Sequence, residues 1–223
     1  MKKRYRSRRK KALHRALLIA ALVAALTLTN AMNFLPRQAL DDIAQTQNIS
    51  KPKVVSVFYD DKLKCYRFAR QYLAEGEEGL MLCAIGWDPL MGWYDRDWCT
   101  VGTNDGNSLH IGYRGHQQGE AYSGYFFGRL DDEEIAHVAL WLEGDAVSRA
   151  VFGLEDTPLE NAIFRGENGK RYLLCDLAAL SALDAAFDKG AVQGHTITAR
   201  AFDKEGNLLA EEEVCWQDWG TSE

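Results

Sequence analysis

A 20-residue segment without any charged side chain constrains this chain more than any other feature. Positions 16–35 read ALLIAALVAALTLTNAMNFL, between Arg15 and Arg37. As an α-helix rising about 1.5 Å per residue, this segment would cross the roughly 30 Å hydrocarbon layer of a bilayer. Pro36 cannot continue the helix, because its ring clashes with the preceding turn. The sequence therefore predicts a transmembrane signal-anchor over residues 16–36.

The charge before this segment predicts its orientation. The first 15 residues hold nine basic side chains and no acidic one, and basic flanks stay in the cytoplasm. We therefore expect a basic cytoplasmic tail over residues 1–15, and a cell-membrane protein whose C-terminal body is extracytoplasmic. The alternative is a secretory signal peptide cleaved after Ala31, although the apolar run exceeds the usual length of roughly 7–15 residues. Both interpretations place the body outside the cytoplasm.

The remainder of the chain is strongly acidic. Without the nine N-terminal basic groups, 17 basic side chains remain against 32 acidic ones. Such a body repels the phosphate backbone of nucleic acids. We expect a membrane partner through the N-terminal helix, an envelope glycan or another membrane protein as further partners, and no nucleic acid.

Residues 37–53 are polar and end in Lys51-Pro52-Lys53, which predicts a stalk that continues the membrane helix over residues 38–47 before Pro52 extends the chain. From residue 54 to 223 most segments alternate apolar and polar side chains between Gly, Asp and Asn clusters, which is typical of strands. The predicted strands are 54–59, 64–72, 80–87, 108–113, 122–130, 135–143, 147–152, 162–165, 171–176, 196–202 and 208–216.

One segment of the body has helical spacing instead. Leu177, Leu180, Leu183 and Phe187 recur at this spacing within residues 176–189, between a capping Asp176 and a terminal glycine. The predicted fold class is mainly β: an N-terminal transmembrane helix followed by an antiparallel β-sandwich-like ectodomain with one short helix. A polar stretch at residues 114–121 is the candidate internal domain boundary.

Three segments of the C-terminal half carry a resemblance. They are GYFFGRL, IAHVALWLEGDAV and TITARAFDKEGNLLAEE, in which Gly-bounded strands lead into Gly-Asp and Gly-Asn turns. This pattern resembles the small immunoglobulin-like ectodomains of membrane-anchored or secreted bacterial proteins of unassigned function. The resemblance implies a fold and no activity.

Local catalytic and metal-binding motifs are missing from the sequence. It has no G-x-S-x-G, H-E-x-x-H, P-loop or C-x-x-C, and its histidines are not spaced as a local metal clip. We therefore predict no catalytic residues, no metal and no cofactor. Asp95, Asp97 and Asp105 lack EF-hand spacing, and the stretch around Asp105 is typical of a tight turn. His110 is expected to be hydrogen-bonded or at the surface.

Five cysteines are widely spaced, and an oxidising compartment would favour pairing of some of them. We predict a Cys175–Cys215 disulfide, because both residues lie near the ends of C-terminal strands that we expect to be neighbours. Cys65, Cys83 and Cys99 would then leave one thiol over, with three choices. Buried unpaired cysteines are the alternative.

The densest feature is an aromatic segment over residues 86–98, GWDPLMGWYDRDW. We interpret it as a loop in which Trp87, Trp93, Tyr94 and Trp98 form a candidate ligand-binding site, since aromatic faces stack on sugar rings or peptides. The alternative, which we favour, is that these rings close one end of the β core or rest on the membrane interface.

Together these features predict a single-pass membrane-anchored extracytoplasmic protein that acts as a binding or scaffolding module of the cell envelope. The alternative is an envelope hydrolase whose site is assembled from distant residues. An aromatic-lined or flat groove would favour binding, and clustered His, Asp and Ser side chains around a pocket would favour the enzyme.

Overall fold

The structure, a computed structural model, describes residues 2–28, 32–59, 69–89, 92–118, 121–143, 157–158, 162–179 and 196–216. Its helices are α1 (Lys2–Leu28) and α2 (Pro36–Thr46). Its strands are β1 (Lys53–Phe58), β2 (Arg70–Glu75), β3 (Gly79–Asp88), β4 (Gly92–Gly102), β5 (Leu109–Gln118), β6 (Ala121–Leu130), β7 (His137–Glu143), β8 (Thr157–Pro158), β9 (Ile163–Arg165), β10 (Arg171–Asp176), β11 (Thr196–Phe202), β12 (Leu208–Glu213) and β13 (Cys215–Trp216).

Helix α1 contains the basic tail and most of the apolar segment. Its leucines are exposed on several sides, including Leu13, Leu17, Leu18 and Leu22, so the helix has no single apolar face of the kind that packs on a globular core. Within the described ranges, no helix combines the length and the apolar character that crossing a membrane requires.

The described strands form three sheets, which confirms a mainly β fold with antiparallel sheets. Sheet 1 has the order β1-β2-β3-β4, sheet 2 the order β13-β5-β6-β10-β9, and sheet 3 the order β12-β11-β7-β8. Strands β5 and β13 pair in parallel, and the other strand pairs of the described ranges are antiparallel. Strands β9 and β10 are joined by a turn at Asn168-Gly169, a residue pair typical of hairpins, with Gly169 at a φ of +80°.

The layers are stacked in the order α2, sheet 1, sheet 2 and sheet 3. One apolar cluster joins α2 to Met81, Cys83 and Ile85 of sheet 1. A second joins the opposite face of sheet 1 to Tyr125, Phe127 and Tyr172 of sheet 2. A third fills the space between sheets 2 and 3. Sheets 1 and 2 are therefore covered on both faces.

Burial of both faces explains why β3 does not alternate. Every residue from Leu80 to Ile85 is buried, because even and odd positions face different apolar layers. A strand covered on both sides has a continuous apolar run rather than a period of two. Strand β6 behaves in the same way, with Phe126 facing sheet 3 and Phe127 facing sheet 1.

The segment expected to be a stalk belongs to the folded body instead. Helix α2 begins with Pro36 at its first position and buries Ala39, Leu40, Ile43 and Ala44, a spacing that forms one helical face. This face packs on sheet 1, so residues 37–53 are not a free linker. The prediction of a stalk overlooked the four apolar side chains that recur along one face.

The predicted domain boundary, the predicted helix and two predicted strands fall partly or wholly outside the described residues. In the candidate boundary at 114–121, residues 114–118 and 121 belong to the paired strands β5 and β6, so the described part of this stretch is within one sheet; residues 119 and 120 lie outside the described residues. The predicted helix over 176–189 starts with a 3-10 turn at Leu177–Ala179, and residues 180–189 lie outside the described residues. Residues 64–68 of the predicted strand 64–72, and the whole of the predicted strand 147–152, also lie outside them.

Candidate functional site

The aromatic segment is a β-hairpin rather than a loop. Trp87 of β3 lies opposite Trp93 of β4, and their ring centroids are 5.7 Å apart in an edge-on arrangement. The loop interpretation was wrong because Trp and Tyr are strong strand formers. Pro89 and Gly92 lie near the hairpin end, and Gly86 lies within β3, opposite Tyr94. We call residues 86–98 the tryptophan hairpin.

The rings of this hairpin are neither fully exposed ligand contacts nor fully buried core side chains. Trp93 and Trp98 are partly buried and pack against the apolar cluster beneath α2. Trp87 and Tyr94 are also half-buried. Each ring therefore contributes to packing and retains some accessible surface, so ligand binding by these four residues stays a prediction.

The tryptophan hairpin is joined to the chain that follows α1. The backbone N–H of Trp93 donates a hydrogen bond of 2.7 Å to the carbonyl oxygen of Asn33, and Asn33 forms a parallel β-bridge with Gly92. Gly92 has a φ of +76°, and a Cβ at this position would lie 2.2 Å from the Asn33 oxygen. Only glycine fits this approach, which fixes the hairpin beside the end of the apolar segment.

A buried ionic network lies between sheets 1 and 2 at the opposite end of β3. Arg129 of β6 donates to Glu75 of β2 at 2.8 Å and to Asp131 at 2.7 and 2.5 Å. Glu75 also accepts hydrogen bonds from Tyr172 at 2.8 Å and Lys170 at 3.0 Å. Because Arg129 and Glu75 stand on different sheets, the network ties the two layers together.

Burial and hydrogen bonding act in opposite directions on this network. Burial alone would raise the pKa of Glu75, but hydrogen bonds from Arg129, Tyr172 and Lys170 outweigh it and hold the pKa below its usual value. The pKa of Tyr172 is raised to about 12, mainly by burial, with the Glu75 carboxylate adding to the effect. The carboxylate is therefore charged and the phenol neutral at physiological pH.

The network continues to a histidine beside a small cavity. His110 of β5 is buried, with Nε2 3.2 Å from Asp131 and Nδ1 3.4 Å from Asp105. The cavity has a volume of about 190 Å³ and is lined by Asp105, His110, Glu212, Glu213 and Cys215 among others. Partial burial and the neighbouring Asp105 raise the pKa of Glu212. This arrangement presents an acidic surface, suited to cationic rather than anionic groups.

A second buried ion pair joins the same two sheets. Arg114 of β5 donates to Asp97 of β4, and both side chains are buried. Asp105, in contrast, lies in a turn where it accepts from the backbone N–H of Asn107. Asp97 therefore neutralises a buried arginine, whereas Asp105 stabilises a turn. Among the described residues, no group of three or more His, Cys, Asp or Glu side chains is arranged to hold a metal ion.

The open groove between α2 and the β2–β3 turn has a larger volume, about 580 Å³. Its charged side chains pair with one another or with nearby groups. Arg37 lies 2.9 Å from Asp41, and Glu78 accepts from Ser50 at 2.5 Å. The contact of Ser50 with Glu78 joins the chain after α2 to the β2–β3 turn, whereas Arg37 and Asp41 pair within α2, and together they give the groove a mixed charge.

The predicted Cys175–Cys215 bridge is absent from the structure. Cys175 lies on β10 and Cys215 on β13, and both are thiols. Strands β5 and β6 separate them in sheet 2, which at about 4.8 Å per strand exceeds the reach of a disulfide. The disulfide prediction was wrong because β13 pairs with β5 and is not a neighbour of β10. Cys65 lies outside the described residues.

The sequence contained a signal for the ionic network that we did not use. In β6, Phe126 and Leu130 occupy one alternating set of positions, while Tyr125, Phe127 and Arg129 occupy the other. Both sets are mostly apolar, which indicates burial on both faces. An arginine within such a strand requires a buried carboxylate. Its partner Glu75 comes from another sheet, and no local spacing identifies it.

Comparisons with known proteins give no relative: no family model, no curated protein and no solved structure matches the chain.

Proposed function

We propose that this chain is a single-pass membrane protein whose mainly β body lies outside the cytoplasm and acts as a binding or scaffolding module of the cell envelope. The uncharged segment 16–35 and the nine basic residues before it support the anchor and its orientation. The leucines exposed on several sides of α1 support it further, because contiguous exposed apolar surface is typical of membrane or protein contacts. Residues 29–31 of the segment lie outside the described residues.

The observation that carries the proposal is the contact between Asn33 and the tryptophan hairpin. The 2.7 Å hydrogen bond from Trp93 to Asn33 places the hairpin where the apolar segment ends. Half-buried Trp and Tyr rings are favoured at membrane–water interfaces, where one part of the ring is apolar and another is hydrated. The hairpin would then seat the body on the membrane surface.

The same position suits recognition of an envelope glycan. Trp93 and Trp98 contribute part of their surface to the cluster beneath α2, whereas Trp87 meets Trp93 in an edge-type ring contact. We therefore assign the main ligand contact to Trp87, with Trp93 and Tyr94 beside it. Aromatic faces held on paired strands lose little conformational freedom when a sugar ring stacks on them.

The hydrolase alternative has one observation in its favour, since His110 and Cys215 line the same cavity. Its geometry does not activate the thiol. Both ring nitrogens of His110 face carboxylates, and burial together with Glu213 raises the pKa of Cys215. The catalytic thiol of a cysteine hydrolase needs the opposite, a base at hydrogen-bond distance or a lowered pKa. Binding is therefore the better supported function.

Topology is tested on the full chain with an N-terminal epitope tag. A protease added outside intact cells should digest the body while sparing the tag. A variant in which the basic residues of the tail are replaced by glutamate should lose this uniform orientation. Protection of the body would contradict the orientation, and a mature N-terminus at Met32 would replace the anchor with a cleaved signal peptide.

Binding is tested by co-sedimentation with insoluble envelope glycan. Trp87→Ala should reduce the bound fraction, while Trp141→Ala should not, because Trp141 lies on β7 in sheet 3. Both variants should retain the melting temperature within a few degrees. Equal binding by the wild type and Trp87→Ala would contradict the glycan site. Glycan-independent retention on vesicles that is lost in Trp87→Ala would assign the hairpin to the membrane interface alone.

A further inference from the structure

Two thiols on different sheets lie close together at one edge of the body. Cys99 is buried on β4 of sheet 1, and Cys215 is exposed on β13, the edge strand of sheet 2. They are separated by 116 positions in the sequence. Neither sequence spacing nor a shared hairpin brings them together, so their proximity is a product of how the two sheets stack.

The sheet register directs both side chains toward the same space. Cys215 lies opposite Gly112 of β5, and paired residues of neighbouring strands project from the same face of the sheet. That face of sheet 2 is turned toward β4, because a Cβ on Gly112 would lie 2.4 Å from Cγ2 of Val101. Cys99 precedes Val101 by two positions, and alternation therefore places it on the same face of β4 as Val101, which is turned toward sheet 2.

The distances agree with this placement. The Sγ atoms of Cys99 and Cys215 lie 4.0 and 3.8 Å from the same atom, the carbonyl oxygen of Thr100. The Sγ of Cys99 also lies 4.0 Å from the carbonyl oxygen of Cys215. Both sulfurs thus lie next to one backbone oxygen. Rotation about the Cα–Cβ bond of the exposed Cys215 changes the distance between the two Sγ atoms.

We propose that Cys99 and Cys215 form a reversible disulfide that ties the C-terminal strand of the body to sheet 1. The oxidant is a small-molecule or protein disulfide. The exposed Cys215 thiolate attacks one sulfur of that disulfide, which breaks its S–S bond and releases the first thiol. The Cys99 thiolate then attacks the mixed disulfide and releases the second. The two protein thiols lose two electrons and two protons, and the oxidant is reduced to two thiols.

The bridge would act on the cavity beside His110, because Cys215 is part of its lining. Strand β13 has two residues, so few hydrogen bonds hold it when the thiols are reduced. A disulfide would fix it against β4 and close a long chain loop, which restricts the unfolded state. The proposal does not depend on the binding function, since it needs only the two thiols and an oxidant.

The test is peptide mapping of the purified full chain in detergent. The protein is incubated with oxidised glutathione, alkylated and digested without reductant. We expect a peptide pair joined through Cys99 and Cys215 that dithiothreitol separates. The oxidised protein should melt about 5–10 °C higher than the reduced one. Cys65→Ser and Cys175→Ser are matched controls that should retain both the joined peptides and the shift.

Cys99→Ser and Cys215→Ser should each lose the joined peptides and the shift in melting temperature. If a variant folds poorly, peptide mapping of the wild-type chain still shows whether Cys99 and Cys215 form a disulfide. A stable glutathione adduct on Cys215 with Cys99 still alkylated would overturn the proposal. So would a link from Cys215 to any other cysteine, or a joined pair that appears only after the chain is unfolded in urea.

Discussion

The two faces of sheet 2 are both buried, but they are built from different chemistry. The face toward sheet 3 is apolar, with Leu109, Ile111 and Phe126 packed on Val138 and Leu140. The face toward sheet 1 also carries aromatic rings, yet it buries three basic or ionisable side chains: His110, Arg114 and Arg129. One sheet therefore forms an apolar interface on one side and an ionic interface on the other.

The difference between the two faces indicates how the relative position of stacked sheets can be determined. Apolar side chains tolerate small shifts between layers, because burial is non-directional. An arginine between two sheets satisfies its donors only when particular carboxylates lie opposite it. Arg129 reaches Glu75, and Arg114 reaches Asp97, so each pair joins a named strand of sheet 1 to a named strand of sheet 2. We infer that the ionic interface fixes the register between the sheets, a role known for some buried polar groups.

The largest expected effect comes from removing one member of this network. Arg129→Ala leaves the buried Glu75 carboxylate with fewer partners, and we expect the free energy of unfolding to fall by about 3–5 kcal/mol. Arg200→Ala is the matched control, because Arg200 is also a strand arginine bound to a glutamate, but its pair with Glu211 is partly exposed. The control should cost no more than about 1 kcal/mol. Urea unfolding followed by tryptophan fluorescence measures both.

If Arg129→Ala and Arg200→Ala lose the same stability, burial between the sheets adds nothing to the Arg129 network, and the ionic face of sheet 2 has no energetic role of its own. Arg129→Lys sharpens the comparison, since lysine keeps the charge but cannot contact Glu75 and Asp131 with a planar fork. We expect its loss of stability to lie between those of the two alanine variants.

A smaller effect is expected where Gly112 of sheet 2 lies against Val101 of sheet 1. A Cβ at Gly112 would lie 2.4 Å from Val101 and 3.1 Å from the ring of Phe127, so Gly112→Ala overpacks the ionic interface. We expect a loss of about 1–3 kcal/mol. Gly102→Ala is the control within β4, since no heavy atom of the described chain lies within 4 Å of a Cβ placed there. Equal stability of the two variants would contradict the close approach of the sheets.

Much of the fold could be predicted from the sequence, but the contacts between layers could not. The β class and the hairpin at Asn168-Gly169 follow from local periodicity and turn chemistry. Strand β4 was missed because Gly and Pro residues precede it and because a register shift opposite Ala84 and Ile85 interrupts its alternation between Asp95 and Asp97. The Glu75–Arg129 pair joins residues 54 positions apart, and it depends on how two sheets stack. The apolar segment, in contrast, is recognisable from length and charge alone.

The smallest expected effect concerns pH, and it tests whether the ionic interface works through charge. Burial would raise the pKa of Glu75, but hydrogen bonds from Arg129, Tyr172 and Lys170 lower it overall. A carboxyl whose folded pKa is lowered contributes stability above its unfolded pKa of about 4.3 and loses that contribution as the pH falls through the folded pKa. Glu75→Gln keeps the shape and removes the titration. We expect the wild type to exceed Glu75→Gln in stability at pH 7, and the difference to narrow below about pH 4.

Other carboxylates titrate in both proteins, so their effects cancel in this difference. The matched control is Leu140→Ala in the apolar interface with sheet 3, whose loss of stability relative to the wild type should not depend on pH, because no charge is removed. Urea midpoints between pH 3 and pH 7 measure both differences. A constant gap between the wild type and Glu75→Gln across this range would show that the carboxylate contributes by packing and hydrogen bonding alone. The two faces of sheet 2 would then differ in composition without differing in the kind of force that holds them.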